Sequence, residues 1–102
     1  MQQNAASTAQ NYLDMGNGFS RLGLIQQLSS SAGEGYSLHD ATVAVDSLNV
    51  DWNAQAVLSA KNYQQMEPQS CANLIQQLDS SAGEQFTYAQ ASYGAHKAGA
   101  CG

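Results

Sequence analysis

Apolar residues recur along this chain in short rows at three- and four-residue spacing, and turn-forming residues separate the rows. Ala5, Ala9, Tyr12 and Leu13 form the first row, which stops at Gly16-Asn-Gly18, so the spacing predicts a helix over 5–15. Leu24, Ile25 and Leu28 form the second, with Ser20 placed to cap it and Gly33 to stop it. Ser37 heads a third, in which Leu38, Ala41, Val45 and Leu48 stand at i, i+3, i+7 and i+10. The grammar then starts again. Asp51 precedes the row Trp52, Ala56, Ala60 and Tyr63, Pro68 breaks the chain, and a fifth helix is expected from Ser70 to Gly83. Thr87 with Gln90 makes a capping box ahead of Tyr88, Ala91 and Ala95. Strand patterning is weak, since the β-branched residues of 41–45 sit inside a capped helical row. An all-α fold of six helices follows.

The second half repeats the first. Leu24-Ile-Gln-Gln-Leu28 and Ser31-Ala-Gly-Glu34 return fifty positions later as Leu74-Ile-Gln-Gln-Leu78 and Ser81-Ala-Gly-Glu84, and Ser20, Tyr36, Ser37 and Ala41 pair with Ser70, Phe86, Thr87 and Ala91. Upstream, Ala9, Asn11, Tyr12 and Met15 pair with Ala60, Asn62, Tyr63 and Met66, which is one position further apart. The first copy therefore carries an extra loop residue within Gly16-Asn-Gly-Phe19. A duplicated unit is expected to bury its apolar face against its twin. The chain reads as a single domain, 1–102, of two tandem three-helix, helix-turn-helix-like repeats packed face to face. Repeat one spans about 3–50, repeat two about 51–98, and 99–102 form a tail. Trp52 at the junction is expected to lock the halves together, and Tyr36 and Phe86 to staple the helices that follow them.

Composition narrows the function. The net charge is −5, and only Arg21, Lys61 and Lys97 are basic. Three scattered cations release few counterions, and the third helix of the first repeat carries Asp40 and Asp46 where a DNA reader needs Arg or Lys. A DNA-binding helix-turn-helix domain is thus the weaker functional alternative, and no nucleic-acid partner is expected. Acidity favours a basic protein partner, and Glu34, Asp40, Asp79 and Glu84, clustered near the turns, are the candidate partner-binding residues. The histidines, His39 and His96, are not repeat-equivalent, and no catalytic motif or metal-ligand spacing is present, so no catalytic residue, metal or cofactor is assigned.

Cys71 and Cys101 lie outside any CxxC or Cys/His cluster and read as one disulfide, with two free thiols or an intermolecular pair as alternatives. Closing that loop contributes roughly 3–4 kcal/mol by chain entropy. Such cysteine use points to an extracytoplasmic protein. No apolar run is long enough to span a bilayer, and the start at Met1 reads as that of a trimmed, exportable domain.

Together, Tyr12-Leu13, Ser20 to Leu28, Tyr36-Ser37, Val43-Ala-Val-Asp46, Asp51-Trp-Asn53, Leu74 to Leu78, Phe86-Thr87 and Gln90-Ala-Ser-Tyr-Gly94 form a pattern that resembles the Ltp-type host cell surface-exposed lipoproteins over nearly the whole chain. It departs from that pattern at Cys71, which replaces Arg21, in its longer Ser-Ala-Gly-Glu turns, and in lacking a lipobox cysteine. The resemblance implies a non-enzymatic, envelope-exposed protein-binding module at the cell surface, touching a membrane only through a lipid anchor. It further implies phage superinfection exclusion, in which the injection machinery is engaged and DNA entry is blocked; the acidity of the chain makes a basic component of that machinery the expected partner. A structural, wall-associated module is the remaining alternative.

Overall fold

Side-chain caps set where the helices begin. Ser20, Ser37, Asp51, Ser70 and Thr87 each accept a hydrogen bond from the backbone N–H three residues on, and Gln90 completes the capping box by reaching back to the Thr87 N–H. The computed structural model describes residues 2–101, with only the backbone of 2–4. Its elements are α1 (Gln2–Asp14), α2 (Arg21–Ser29), α3 (Leu38–Ser47), α4 (Trp52–Met66), α5 (Cys71–Asp79) and α6 (Tyr88–Lys97). No strand occurs among the described residues.

The second helix of each repeat ends four residues before the glycine expected to stop it. Ser30 and Ser80 leave the helix in extended conformation. The glycines serve the turn that follows. A Cβ on Gly33 would stand 2.2 Å from the Gln27 carbonyl oxygen, and one on Gly83 equally close to that of Gln77, so only glycine lets the turn fold back over the helix end. The turn is then tied down, with the Tyr36 N–H donating to the Leu28 carbonyl at 2.9 Å and the Phe86 N–H to that of Leu78 at 2.8 Å.

Packing departs from the face-to-face arrangement. Extensive helix contact stays inside each repeat: α1 on α3, α2 on α3 and α1 on α2, then α4 on α6, α5 on α6 and α4 on α5. Two separate cores result. Ala9, Leu13, Leu24, Ile25, Leu28, Ala41 and Val45 make the first, and Ala56, Ala60, Leu74, Leu78, Phe86, Ala91 and Ala95 the second. The third helix closes the apolar face that a helical pair would have left for its twin. The triplets lie one after the other along a 44 Å axis, with a cross-section of 23 × 22 Å. Trp52 crosses between them. It opens α4 yet packs against the first core, as expected of a lock.

Leu38 and Tyr88 are not inside; they are 65% and 68% exposed. Each is the first residue of its helix, where the side chain leans back beyond the helix end and away from the core. The preceding aromatics, Tyr36 and Phe86, cover that end of the core instead.

The same junction is fastened in both repeats by different chemistry. In the first, Arg21 at the start of α2 grips Asp46 near the end of α3 through paired bonds of 2.7 and 2.8 Å. Cys71 occupies the Arg21 position and forms a disulfide with Cys101, just past α6, with Cα atoms 4.7 Å apart. The second core needs the stronger clasp, because Ala95 and Ala98 stand where the first has Val45 and Leu48. At up to about 0.8 kcal/mol per buried carbon, that loss is of the same order as the roughly 3–4 kcal/mol of loop-closure entropy the bridge removes from the unfolded chain. Reducing the disulfide, or replacing both cysteines with alanine, is therefore expected to lower unfolding stability by roughly 3 kcal/mol. Asp46→Asn, which breaks a solvent-exposed pair, should cost about 1 kcal/mol or less in the same denaturant titration.

Candidate functional site at the seam between the repeats

The extra residue of the first repeat lies where the triplets meet. Four residues, 16–19, connect Met15 to Ser20, whereas three, 67–69, connect Met66 to Ser70. The longer loop lies on α4. A Cβ on Gly18 would fall 2.4 Å from the Ser59 nitrogen and 2.6 Å from the Gln55 carbonyl oxygen, so backbone meets backbone there with no room for a side chain. On either side, the Phe19 N–H donates to Gln55 Oε1 at 3.0 Å, and Asn62 Nδ2 donates to the Asn17 carbonyl at 3.0 Å.

A second set of contacts joins α2 to the turn of the other repeat. Buried Ser20 accepts from the Gly23 N–H as the cap of α2 while its hydroxyl proton goes to the Glu84 carbonyl. Gln85 Nε2 donates to Gln26 Oε1 at 2.7 Å. Gln85 has a φ of 64°, and its counterpart Gly35 has a φ of 74°. A left-handed conformation costs a non-glycine residue about 1 kcal/mol, and here it carries a side chain that reaches across the seam.

Within each repeat, a chain of hydrogen bonds links the signature residues. Tyr12 donates to Glu34 at 2.7 Å and receives Gln27 Nε2 at 3.4 Å; Tyr63 donates to Glu84 at 2.6 Å and receives Gln77 Nε2 at 3.4 Å. Each glutamate thus anchors its turn to the first helix of its repeat. The Tyr12 hydroxyl has its pKa raised, first by the bond to Glu34. The Tyr63 hydroxyl, half-buried, is pushed up to about 12, first by burial and then by its bond to Glu84 and that carboxylate's charge.

A cleft of about 520 Å³ opens on the α4 side of the seam, lined by Asn17, Gly18, Phe19, Ser59, Asn62, Tyr63, Gln65, Met66 and Glu84. A smaller one, about 350 Å³, lies on the α2 side, again bounded by Phe19 and Glu84. Of the candidate residues read from the sequence, Glu84 borders both clefts. Glu34 holds the equivalent turn of the first repeat and borders neither. Asp40 sits in the first turn of α3, where its charge suits the helix dipole, and Asp79 is the last residue of α5. Among the described residues, no hydrogen bond joins these four carboxylates. The seam residues Ser20, Gln55, Asn62 and Gln85 were not singled out by sequence reasoning as site residues; the one-residue offset between the copies was the available pointer to them.

His96 Nδ1 lies 2.8 Å from the Ser92 carbonyl one turn back, and His39 stands exposed on α3. No group of three or more His, Cys, Asp or Glu able to hold a metal occurs among the described residues. No described helix is long and apolar enough to cross a membrane.

The chain matches a known family. The profile of the host cell surface-exposed lipoproteins covers residues 1–48 and again 51–96. Each segment takes in one three-helix repeat. No curated protein and no solved structure was found to match the chain.

A phenol that ionises near 10 in the unfolded chain and near 12 when folded holds its proton more tightly in the native state. Its stabilising contribution is whole below pH ~10 and is lost as the pH rises toward 12. Denaturant titrations should show stability falling across that window, with about 1 kcal/mol of the fall traceable to Tyr63 after allowance for its partial hydration. Tyr63→Phe should flatten the decline; an identical pH profile in that variant would refute the assignment.

Proposed function

The chain belongs to the host cell surface-exposed lipoprotein family, and we propose that at the cell surface it is a non-enzymatic protein-binding module that excludes superinfecting phage. In this reading it engages a basic component of an incoming phage's injection machinery and so blocks DNA entry. Family membership across both repeats is the observation that carries the proposal. The disulfide suits an oxidising, extracytoplasmic setting. The charge of −5 supports a basic protein partner over nucleic acid, and the outward residues of α3 and α6 include Leu38, Val43, Tyr88 and Tyr93 with no arginine.

The carboxylates at Glu34, Asp40, Asp79 and Glu84 act in this reading mainly by steering. Exposed charges are screened within roughly 8–10 Å at ordinary salt, so they raise association rate and select sign more than they add affinity. Displaying the domain on a host surface should leave phage adsorption unchanged while lowering phage DNA entry. The variant Glu34→Gln, Asp40→Asn, Asp79→Asn, Glu84→Gln should weaken exclusion with little change in melting temperature, because Gln still offers an oxygen to each tyrosine hydroxyl. Undiminished DNA entry in hosts displaying the unaltered domain would contradict exclusion.

A further inference from the structure

The two repeats carry the same constellation of tyrosine, methionine and glutamate but put it in different surroundings. Tyr12, Met15 and Glu34 in the first repeat match Tyr63, Met66 and Glu84 in the second. Only the second set borders the seam cleft, because the longer loop of repeat one brings Asn17, Gly18 and Phe19 against α4 as a facing wall. Resting on the reading of the chain as a protein-binding module, we propose that this cleft is the contact site. It takes the side chain of an arginine or lysine, together with an adjacent apolar residue, from a basic protein partner.

Charge complementarity selects that occupant. Glu84 is the one acidic residue lining the cleft, and no basic residue lines it. Arg21 is paired with Asp46, and Lys61 and Lys97 border a separate groove between α4 and α6. Tyr63 donates to Glu84 Oε2 at 2.6 Å, and no hydrogen bond to Oε1 is found among the described residues, so one carboxylate oxygen is left for an incoming donor. The aromatic rings of Phe19 and Tyr63 suit a guanidinium or ammonium group. Met66, 74% exposed at the rim, offers an adaptable apolar surface for the neighbouring residue. The volume, about 520 Å³, lies within the roughly 300–1,000 Å³ typical of small-ligand sites.

The test uses the whole ¹⁵N-labelled chain and two blocked tetrapeptides, acetyl-Gly-Arg-Leu-Gly-amide and its counterpart with Glu in place of Arg. Amide shifts induced by the arginine peptide should group at Asn17–Phe19, Asn62 and Met66, and the glutamate peptide should leave those signals in place. Glu84→Gln should weaken binding roughly fivefold, whereas Glu34→Gln, which removes a steering charge away from the cleft, should weaken it less than about twofold. Both substitutions remove one charge from a Tyr–Glu bond, and equal melting temperatures and unchanged amide signals away from the cleft separate lost binding from a structural change. Equal loss in the two variants, shifts centred elsewhere, or equal binding of the glutamate peptide overturns the proposal. Full-strength exclusion by Glu84→Gln on the host surface also overturns it and leaves the exclusion reading standing. A chain that binds the arginine peptide at the cleft but does not exclude phage supports the cleft and removes the exclusion reading.

Discussion

One backbone-on-backbone contact, Gly18 against the Gln55–Ser59 turn of α4, is what the joining of the repeats depends on. Each triplet closes its own core, so no shared apolar interior holds the halves in register. The attachment runs instead through the loop, the Ser20 hydroxyl, the Gln85–Gln26 pair and the Trp52 ring. Hydrogen bonds contribute about 0.5–1.5 kcal/mol each, which makes geometry decisive: the loop has to approach closely enough for all of them to form together.

The same geometry sets the far end of the second repeat apart from the seam. The Phe19 N–H is satisfied across the seam by Gln55, while its counterpart, the Gln69 N–H, is satisfied within its own repeat by Gln64 Oε1 at 2.7 Å. Gln64 stands where the first repeat has buried Leu13, so the second repeat replaces core with a polar clasp at its outer end. Gly23, which lies beneath the Glu84 carbonyl, is matched by the bulkier Asn73. The surface bounded by Gln69, Asn73, Gln76 and Gln77 is accordingly polar.

Much of this was legible in the chain. Caps at Ser20, Ser37, Asp51, Ser70 and Thr87 are local chemistry, and the disulfide was the favoured of the readings that two cysteines allow, free thiols and an intermolecular pair being the others. Leu38 misled because periodicity counts positions on a helix but not their distance from its end. The helix ends at Ser29 and Asp79 were overshot because Gly33 and Gly83 serve a close approach to a carbonyl rather than a left-handed stop. Glu34 and Glu84 read as a surface charge motif, yet each holds a tyrosine 22 or 21 residues away. That one-residue difference in spacing is the same insertion that builds the seam, and it was visible as an offset without its consequence being visible.

The dependence of the seam on the close approach at Gly18 is tested most directly by comparing Gly18→Ala with Gly16→Ala. Both glycines have positive φ, 84° and 78°, so alanine meets similar backbone strain at either site, but only at Gly18 does the added Cβ collide with α4, and nothing lies within 4 Å of it at Gly16. Amide hydrogen exchange of the whole chain should show Gly16→Ala opening as one cooperative unit like the parent. In Gly18→Ala, protection should be lost first at Phe19 and around the seam, with the two triplets then opening at separate free energies. Indistinguishable exchange in the two variants would contradict the account.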